Sequence, residues 1–255
     1  MKKQIFTSIL AVFLICSANA QEFKLAKNTG KLNINLSGAT IEGYNGNEII
    51  FSSTEKSSEV DERAKGLRAI SGSGFEDNTG IGISVVDKGN TIEVNQVSKK
   101  NPGQIKIMVP KGLIVSFTHD KAINQSKVRF KNIENEIEVS VQYNEIDLEN
   151  VTGPMTIKTV YGSVDASLGA NMKGPISIVS VYGHVDVAIP VTSKVNINMN
   201  TSWGELFAAG DFKIDMEKSG DYVKYNNDQV KGKINGGGAD LSLKSSYGKV
   251  YLRKK

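Results

Sequence analysis

Cysteine is almost absent from the 255-residue chain: Cys16 is the only one, and it lies in an apolar N-terminal stretch. If a signal peptide is cleaved after Ala20, the 235 residues that remain contain no cysteine. The exported chain therefore has no disulfide, no thiol catalysis and no cysteine-ligated zinc. A chain of that length can build a sizeable hydrophobic core without such crosslinks.

Long apolar runs are missing beyond the first 20 residues. At the start, two lysines precede an apolar run from Ile5 to Cys16, and an Ala-Asn-Ala segment ends at Ala20. This order is typical of a secretory signal peptide over residues 1–20. A lipoprotein signal that uses Cys16 is the alternative, although such signals normally have a small residue where Ile15 stands. No later stretch is apolar enough to cross a membrane as a helix.

An excess of one charge is missing too. Once residues 1–20 are removed, 29 basic and 27 acidic residues remain, without a long basic run. Nucleic-acid binding is therefore not suggested. The sequence predicts an exported protein that is periplasmic, outer-membrane-associated or extracellular, with an unknown envelope protein or glycan as its partner.

Helical periodicity is scarce, and strand periodicity takes its place. Segments 31–36, 90–97, 104–109 and 195–200 alternate apolar and polar residues, as half-buried strands do. The one segment that could be helical, residues 57–67, begins with a weak capping box at Ser58 and could equally be a solvated loop. These patterns predict an all-β protein.

Five copies of one pattern recur at intervals of 18, 21, 21 and 44 residues. Each has apolar residues six and four positions before an aromatic anchor, a small or β-branched residue two before, and apolar residues three and five after. The last interval, close to two periods, predicts a degenerate copy near residues 221–232. The anchors and the glycines that follow four of them are Tyr143, Tyr161, Tyr182, Trp203 and Tyr247, and Gly162, Gly183, Gly204 and Gly248.

The parity of each copy predicts which side chains face the core. The anchor has the parity of the apolar residues before it, so we expect it to point inward. After the glycine the apolar parity shifts by one. A corner in the left-handed backbone conformation, which glycine or asparagine adopts most readily, would produce this shift. Equivalent anchors would then stack as an aromatic ladder of tyrosines and tryptophan.

Regular copies of this kind are the signature of a repeat architecture. The predicted fold is a right-handed β-solenoid with coils of about 21 residues, of which roughly eleven would fit the exported chain. A β-sandwich or meander is the alternative. We predict one β-repeat domain over 21–255, less regular over 21–103 and clearly repetitive over 104–255.

The repeated Ser/Thr-x-Tyr/Trp-Gly motif behind a signal peptide, together with the segment 62–85 before the repeats, resembles a family of bacterial cell-envelope proteins. Its members are described as candidate adhesins with β-strand repeats, related to the head domains of autotransporter adhesins. The resemblance covers most of residues 30–255. It implies a β-solenoid at the cell envelope and brings no established enzymatic residue.

Asp147, Asp165 and Asp186 form the strongest candidate for a chemical site. Each lies four residues after an anchor, and their parity points outward. Stacked carboxylates could hold calcium or act as the carboxylate pair of a polysaccharide hydrolase. The later copies have no aspartate at this position, where Phe207 and Tyr251 stand instead. A solvated strand face explains the three aspartates more simply than a site does. His184 is predicted to lie on the surface, and His119 has no neighbours at the spacing of a metal site. No cofactor is predicted.

Three functions fit these observations. The first is a non-enzymatic, adhesin-like or scaffold protein that binds a protein or glycan through its strand faces. The second is a polysaccharide-acting β-helix enzyme that uses the outward aspartates. The third is a periplasmic scaffold in envelope stress or signalling. A cleft with converging carboxylates would favour the enzyme, and a shallow face without one would favour the binding protein.

Overall fold

The computed structural model describes residues 22–53, 62–98, 105–123, 125–216 and 229–255. The predicted signal peptide at 1–20, the start of the candidate helix at 57–61 and residues 221–228 of the predicted degenerate copy lie outside these ranges. The remainder of the candidate helix forms only a short 3₁₀ turn at Glu62–Ala64. No helix in the described ranges is long and apolar enough to cross a membrane.

Twenty-one strands account for the regular structure of the described residues, which confirms the all-β prediction. In chain order they are Glu22–Leu25 (β1), Gly30–Asn35 (β2), Ala39–Tyr44 (β3), Ile49–Ser53 (β4), Ile83–Asp87 (β5), Thr91–Gln96 (β6), Ile105–Pro110 (β7), Leu113–His119 (β8), Val128–Lys131 (β9), Ile137–Val141 (β10), Ile146–Val151 (β11), Met155–Thr159 (β12), Val164–Leu168 (β13), Ile176–Ser180 (β14), Val185–Ile189 (β15), Val195–Thr201 (β16), Leu206–Ala208 (β17), Ile214–Met216 (β18), Gln229–Ile234 (β19), Ala239–Ser245 (β20) and Val250–Lys254 (β21).

The strands form two mixed sheets. The ten-stranded sheet A has the order β1-β4-β7-β3-β9-β11-β13-β15-β21-β17, and the eleven-stranded sheet B has the order β18-β19-β16-β20-β14-β12-β10-β8-β2-β6-β5. Their inward side chains meet in one hydrophobic core that draws on both sheets. Two facing sheets are compatible with a β-sandwich as well as with a β-solenoid.

The repeat spacing sets the strand register. From β8 to β15 the chain alternates between the sheets, and each strand pairs in parallel with the strand one repeat away. Ile137 lies opposite Met155, and Met155 lies opposite Ile176, six positions before three successive anchors. We call one strand of each sheet, joined by a corner, a tier.

The order of the tiers differs from the order of the chain at both ends. The tier β20–β21 lies between β14–β15 and β16–β17. Likewise, β2–β3 lies between β6–β7 and β8–β9. The described residues form eight parallel tiers, rather than about eleven, because part of the chain forms loops and antiparallel end strands. Those end strands are β5, β4 and β1 at one end and β19 and β18 at the other.

The anchors point outward, so the inward prediction was wrong. Tyr161, Tyr182 and Tyr247 are 54%, 51% and 53% exposed, and Trp203 is 77% exposed. In the second copy, Thr159 is the last inward side chain of its strand. Tyr161 is exposed, and Gly162 is buried again. The parity therefore shifts before the anchor instead of after the glycine.

The reason for glycine after the anchor also differs from the prediction. None of Gly162, Gly183, Gly204 and Gly248 has a left-handed backbone. What they lack is room: a Cβ on Gly183 would lie 2.1 Å from the carbonyl oxygen of Gly162 in the next tier. Left-handed residues are found at other corners, where Asn150 Nδ2 donates to Asn132 Oδ1 over 2.9 Å.

A buried hydroxyl completes each glycine corner. Ser180 Oγ accepts a hydrogen bond from Gly183 N–H and donates one to Gly162 O, both at 2.9 Å. Ser245 makes the same two bonds to Gly248 and Gly183. Since buried backbone groups must be paired, the small hydroxyl residues of the motif satisfy the polar groups that the tight corner exposes. In the first copy Asn144 replaces glycine and donates to Ser37 O and Ser126 O instead.

Candidate functional site

Four tyrosine rings form a continuous column along the edge of the tiers, in which Tyr143 is half-buried and the other three are exposed. The ring centroids of Tyr143 and Tyr161 are 5.0 Å apart, those of Tyr161 and Tyr182 are 5.1 Å apart, and those of Tyr182 and Tyr247 are 5.0 Å apart. The interplanar angles are only 12°, 5° and 9°. The spacing follows the distance between neighbouring strands, about 4.8 Å. The predicted aromatic ladder therefore exists, on the solvent side of the corner.

Tyr247, rather than Trp203, stacks on Tyr182. The cause is the tier order, because β20 pairs with β14 and thereby brings Tyr247 next to Tyr182. Trp203 belongs to the following tier, where its backbone N–H donates to Ser246 O. Among the described residues its ring has no aromatic partner, so the predicted tyrosine–tryptophan stack was wrong.

Because the tyrosine rings are exposed, each should contribute less to the free energy of unfolding than a buried aromatic ring would. We expect Tyr182→Ala to lower the free energy of unfolding by about 1–3 kcal/mol, through loss of two ring contacts worth roughly 0.5–1.5 kcal/mol each. Tyr182→Phe keeps the ring and should change it by less than about 0.5 kcal/mol. Urea denaturation of the two variants and the parent measures the difference. A loss above about 4 kcal/mol, the range of a buried aromatic, would show that this ring belongs to the core.

Asp147, Asp165 and Asp186 lie opposite one another on the outer face of sheet A, as predicted. Each carboxylate has a cationic or imidazole partner of its own. Asp147 is 3.1 Å from Lys127 Nζ, Asp165 is 2.9 Å from His184 Nε2, and Asp186 is 2.7 Å from Arg253 Nε. Hydrogen bonding to Asp147 raises the pKa of Lys127, and hydrogen bonding to Asp186 raises the pKa of Arg253. Each carboxylate of the column is thus already paired.

Two aromatic residues continue that column. Phe207 and Tyr251 stack with centroids 5.2 Å apart, and Lys249 and Arg253 lie over their rings at 5.6 and 5.0 Å. No group of three or more histidine, cysteine or acidic residues in the described ranges could hold a metal ion. His184, next to Asp165, lies on the surface, where the sequence had placed it.

His119 has a role that the sequence analysis missed. Its side chain is buried, 7% exposed, and Nδ1 is 2.9 Å from Asn144 Oδ1. Both Nδ2 hydrogens of Asn144 donate to carbonyl oxygens, so its Oδ1 accepts from His119 Nδ1–H. In the neutral ring Nε2 is consequently an acceptor. Parity could have revealed the burial, since Leu113, Val115, Phe117 and His119 alternate along β8.

A cavity of about 830 Å³ adjoins the tyrosine column. Its floor includes Asn35, Gln96 and His119, at the ends of the neighbouring strands β2, β6 and β8 in sheet B. The tyrosines follow the ends of β10, β12, β14 and β20 in the same sheet. The cavity and the column therefore share one edge of the molecule, with Asn144 joining them.

A small hairpin and a corner loop form the walls of the cavity. The hairpin is closed by backbone bonds from Asp77 to Ala69 and from Ser71 to Phe75, and it places Ile70 and Phe75 at the cavity. The Asp77 carboxylate anchors its base by accepting from the N–H groups of residues 79, 80 and 82. The loop after β8 contributes Lys121 and Ile123. Ile70 and Ile123 are 66% and 76% exposed, so the walls present apolar side chains to water.

No family model and no curated protein matches this chain. Two solved structures are similar to it. One is described as a "putative cell adhesion protein" from Clostridium sporogenes ATCC 15579, with 15% identity, a TM-score of 0.44, and coverage of 92% of this chain and 100% of its own. The other is described as a "putative adhesin" from Bacteroides fragilis NCTC 9343, with 11% identity, a TM-score of 0.34, and coverage of 92% and 96%. These descriptions belong to those two proteins.

Proposed function

We propose that the protein is an exported, non-enzymatic, right-handed β-solenoid that binds a partner at the cell envelope, as an adhesin or scaffold does, through its tyrosine column. The parallel pairing of strands one repeat apart supports a coil around one core. Parallel crossover connections are nearly always right-handed, which supports the hand. The pairing of Asp147, Asp165 and Asp186 favours a binding protein over a hydrolase, because each carboxylate already has a partner.

The exposed but ordered tyrosine column carries this proposal. Binding hot spots are rich in tyrosine and tryptophan, since these side chains offer large contact areas with few rotatable bonds. Stacking holds each ring before a partner arrives, which reduces the ordering cost of binding. Both faces of Tyr161 and Tyr182 are covered by neighbouring rings, so the partner would meet their ring edges and phenol hydroxyls. A protein or a hydroxyl-rich glycan can contact such a strip.

The test is cosedimentation of the purified chain with isolated bacterial envelopes. We expect the combined change Tyr161→Ala and Tyr182→Ala to weaken binding about tenfold or more, as for hot-spot residues. Tyr251→Ala is the matched control, because it removes another stacked tyrosine from the outer face of sheet A. Equal binding by the parent chain, the double variant and Tyr251→Ala, with comparable melting temperatures, would refute a role for the column.

A further inference from the structure

We infer that the cavity beside the tyrosine column is a binding site for a neutral saccharide unit, held between the hairpin 69–77 and the loop 119–123. This inference deepens the proposed binding role and rests on it. The volume of about 830 Å³ lies within the usual range of small-molecule sites, roughly 300–1,000 Å³. One or a few sugar rings would fit a space of this size.

The polar floor suits a ligand rich in hydroxyl groups. His119 presents Nε2 as its remaining polar atom, and no described residue is found bonded to it. Asn35 and Asn95 add side-chain amides, each of which can both donate and accept. A sugar hydroxyl also donates and accepts, so neighbouring hydroxyls can pair with an amide and with an acceptor nitrogen. In the neutral ring, the hydrogen bond from His119 Nδ1–H to Asn144 Oδ1 leaves Nε2 as that acceptor.

The walls suit the other face of a sugar ring. Ile70, Phe75 and Ile123 form an apolar surface that water now contacts. A pyranose has an apolar face of C–H groups as well as a rim of hydroxyls, and burying such a surface is favourable. A ligand that is apolar throughout would leave the floor unpaired, which is costly.

The charge of the lining favours a neutral ligand. Lys121 is the one charged residue among the described residues of the cavity. An acidic saccharide would need more than one lysine to replace its hydration, and a cationic ligand would meet no carboxylate there. A neutral sugar unit needs neither a second lysine nor a carboxylate. The unit would be the end of a longer glycan that continues along the tyrosine column.

The experiment is an NMR titration of the ¹⁵N-labelled exported chain with cellobiose, lactose, N,N′-diacetylchitobiose and digalacturonic acid. At least one neutral disaccharide should shift the resonances of Asn95, Ile123 and the His119 ring Nε2 in a saturable way. Phe75→Ala should weaken that binding about tenfold or more, and His119→Gln should also weaken it. Leu67→Ala is the control, since Leu67 is an exposed apolar residue outside the cavity. Unchanged melting temperatures exclude misfolding of the variants.

Three results would overturn the inference: no saccharide shifts these resonances, digalacturonic acid binds them more tightly than any neutral sugar, or Phe75→Ala and Leu67→Ala behave alike. Envelope cosedimentation of the same variants separates the two proposals. Loss of envelope binding in the tyrosine variants, without sugar binding in the cavity, would leave the proposed function standing. Sugar binding in the cavity without any effect of the tyrosine variants would remove the column from the proposed function.

Discussion

Gly183→Ala should be strongly destabilising: we expect the free energy of unfolding to fall by about 3 kcal/mol or more. The new Cβ would lie 2.1 Å from Gly162 O, 2.6 Å from its carbonyl carbon and 2.8 Å from Ser163 N. All three atoms are backbone, so no side chain can rotate away. Two tiers would have to separate locally, which also strains the bonds of Ser180 to Gly162 and Gly183.

Gly210→Ala is the matched control for this change. A Cβ at residue 210 has no heavy atom within 4 Å, and the backbone there is not left-handed. We expect its effect to stay within about 0.5 kcal/mol. Equilibrium unfolding in urea, with the slope checked for constancy, gives both values. Similar midpoints for the two variants would mean that the tiers are less tightly spaced than the structure has them.

Removal of residues 239–255 should abolish the cooperative unfolding transition. These residues form β20 and β21, which pair with β14 and β16 in sheet B and with β15 and β17 in sheet A. Without them, four strands lose a neighbour and their inward apolar residues face an empty tier. Unpaired strand edges of this kind favour aggregation. Circular dichroism during heating and analytical ultracentrifugation measure the two effects.

A synthetic peptide of residues 239–255 provides the control in this experiment. We expect it to bind the shortened chain as an added strand in each sheet and to restore the transition. A peptide of the same composition in scrambled order should do neither, because its inward positions would no longer be apolar. If the shortened chain unfolds at the parent's temperature without any peptide, then β14 and β16 do not depend on the tier between them.

Sequence periodicity predicted the strands and their pairing well, and it failed where the chain leaves the period. Ile137, Met155 and Ile176 could be aligned because every strand in the middle tiers presents the same residue types to the core. The orientation of Tyr161 could not be read from parity alone, because parity is lost at a corner. The anchor had been counted with the strand before it, whereas that strand ends at Thr159.

The candidate site was less predictable than the fold. The cavity joins a hairpin at 69–77 with the loop after β8, and neither segment repeats. Tyr247 lies beside Tyr182 because the chain returns to pair β20 with β14. The interval of 44 residues between Trp203 and Tyr247 does not predict which strand β20 pairs with. The aspartates were placed correctly, but their partners Arg253 and His184 lie 67 and 19 residues away from them. Such partners emerge only from the three-dimensional register.

The interleaved order of the tiers has a mechanical consequence. A force that pulls on β17, the last strand of sheet A, loads hydrogen bonds to a single neighbour, β21, and can break them one after another. A force that pulls on β21 loads the bonds to β15 and β17 together, along the strand direction. Withdrawal of that segment then needs many bonds to break at once. A molecule tethered through β21 would therefore resist tension better than one tethered through an end strand.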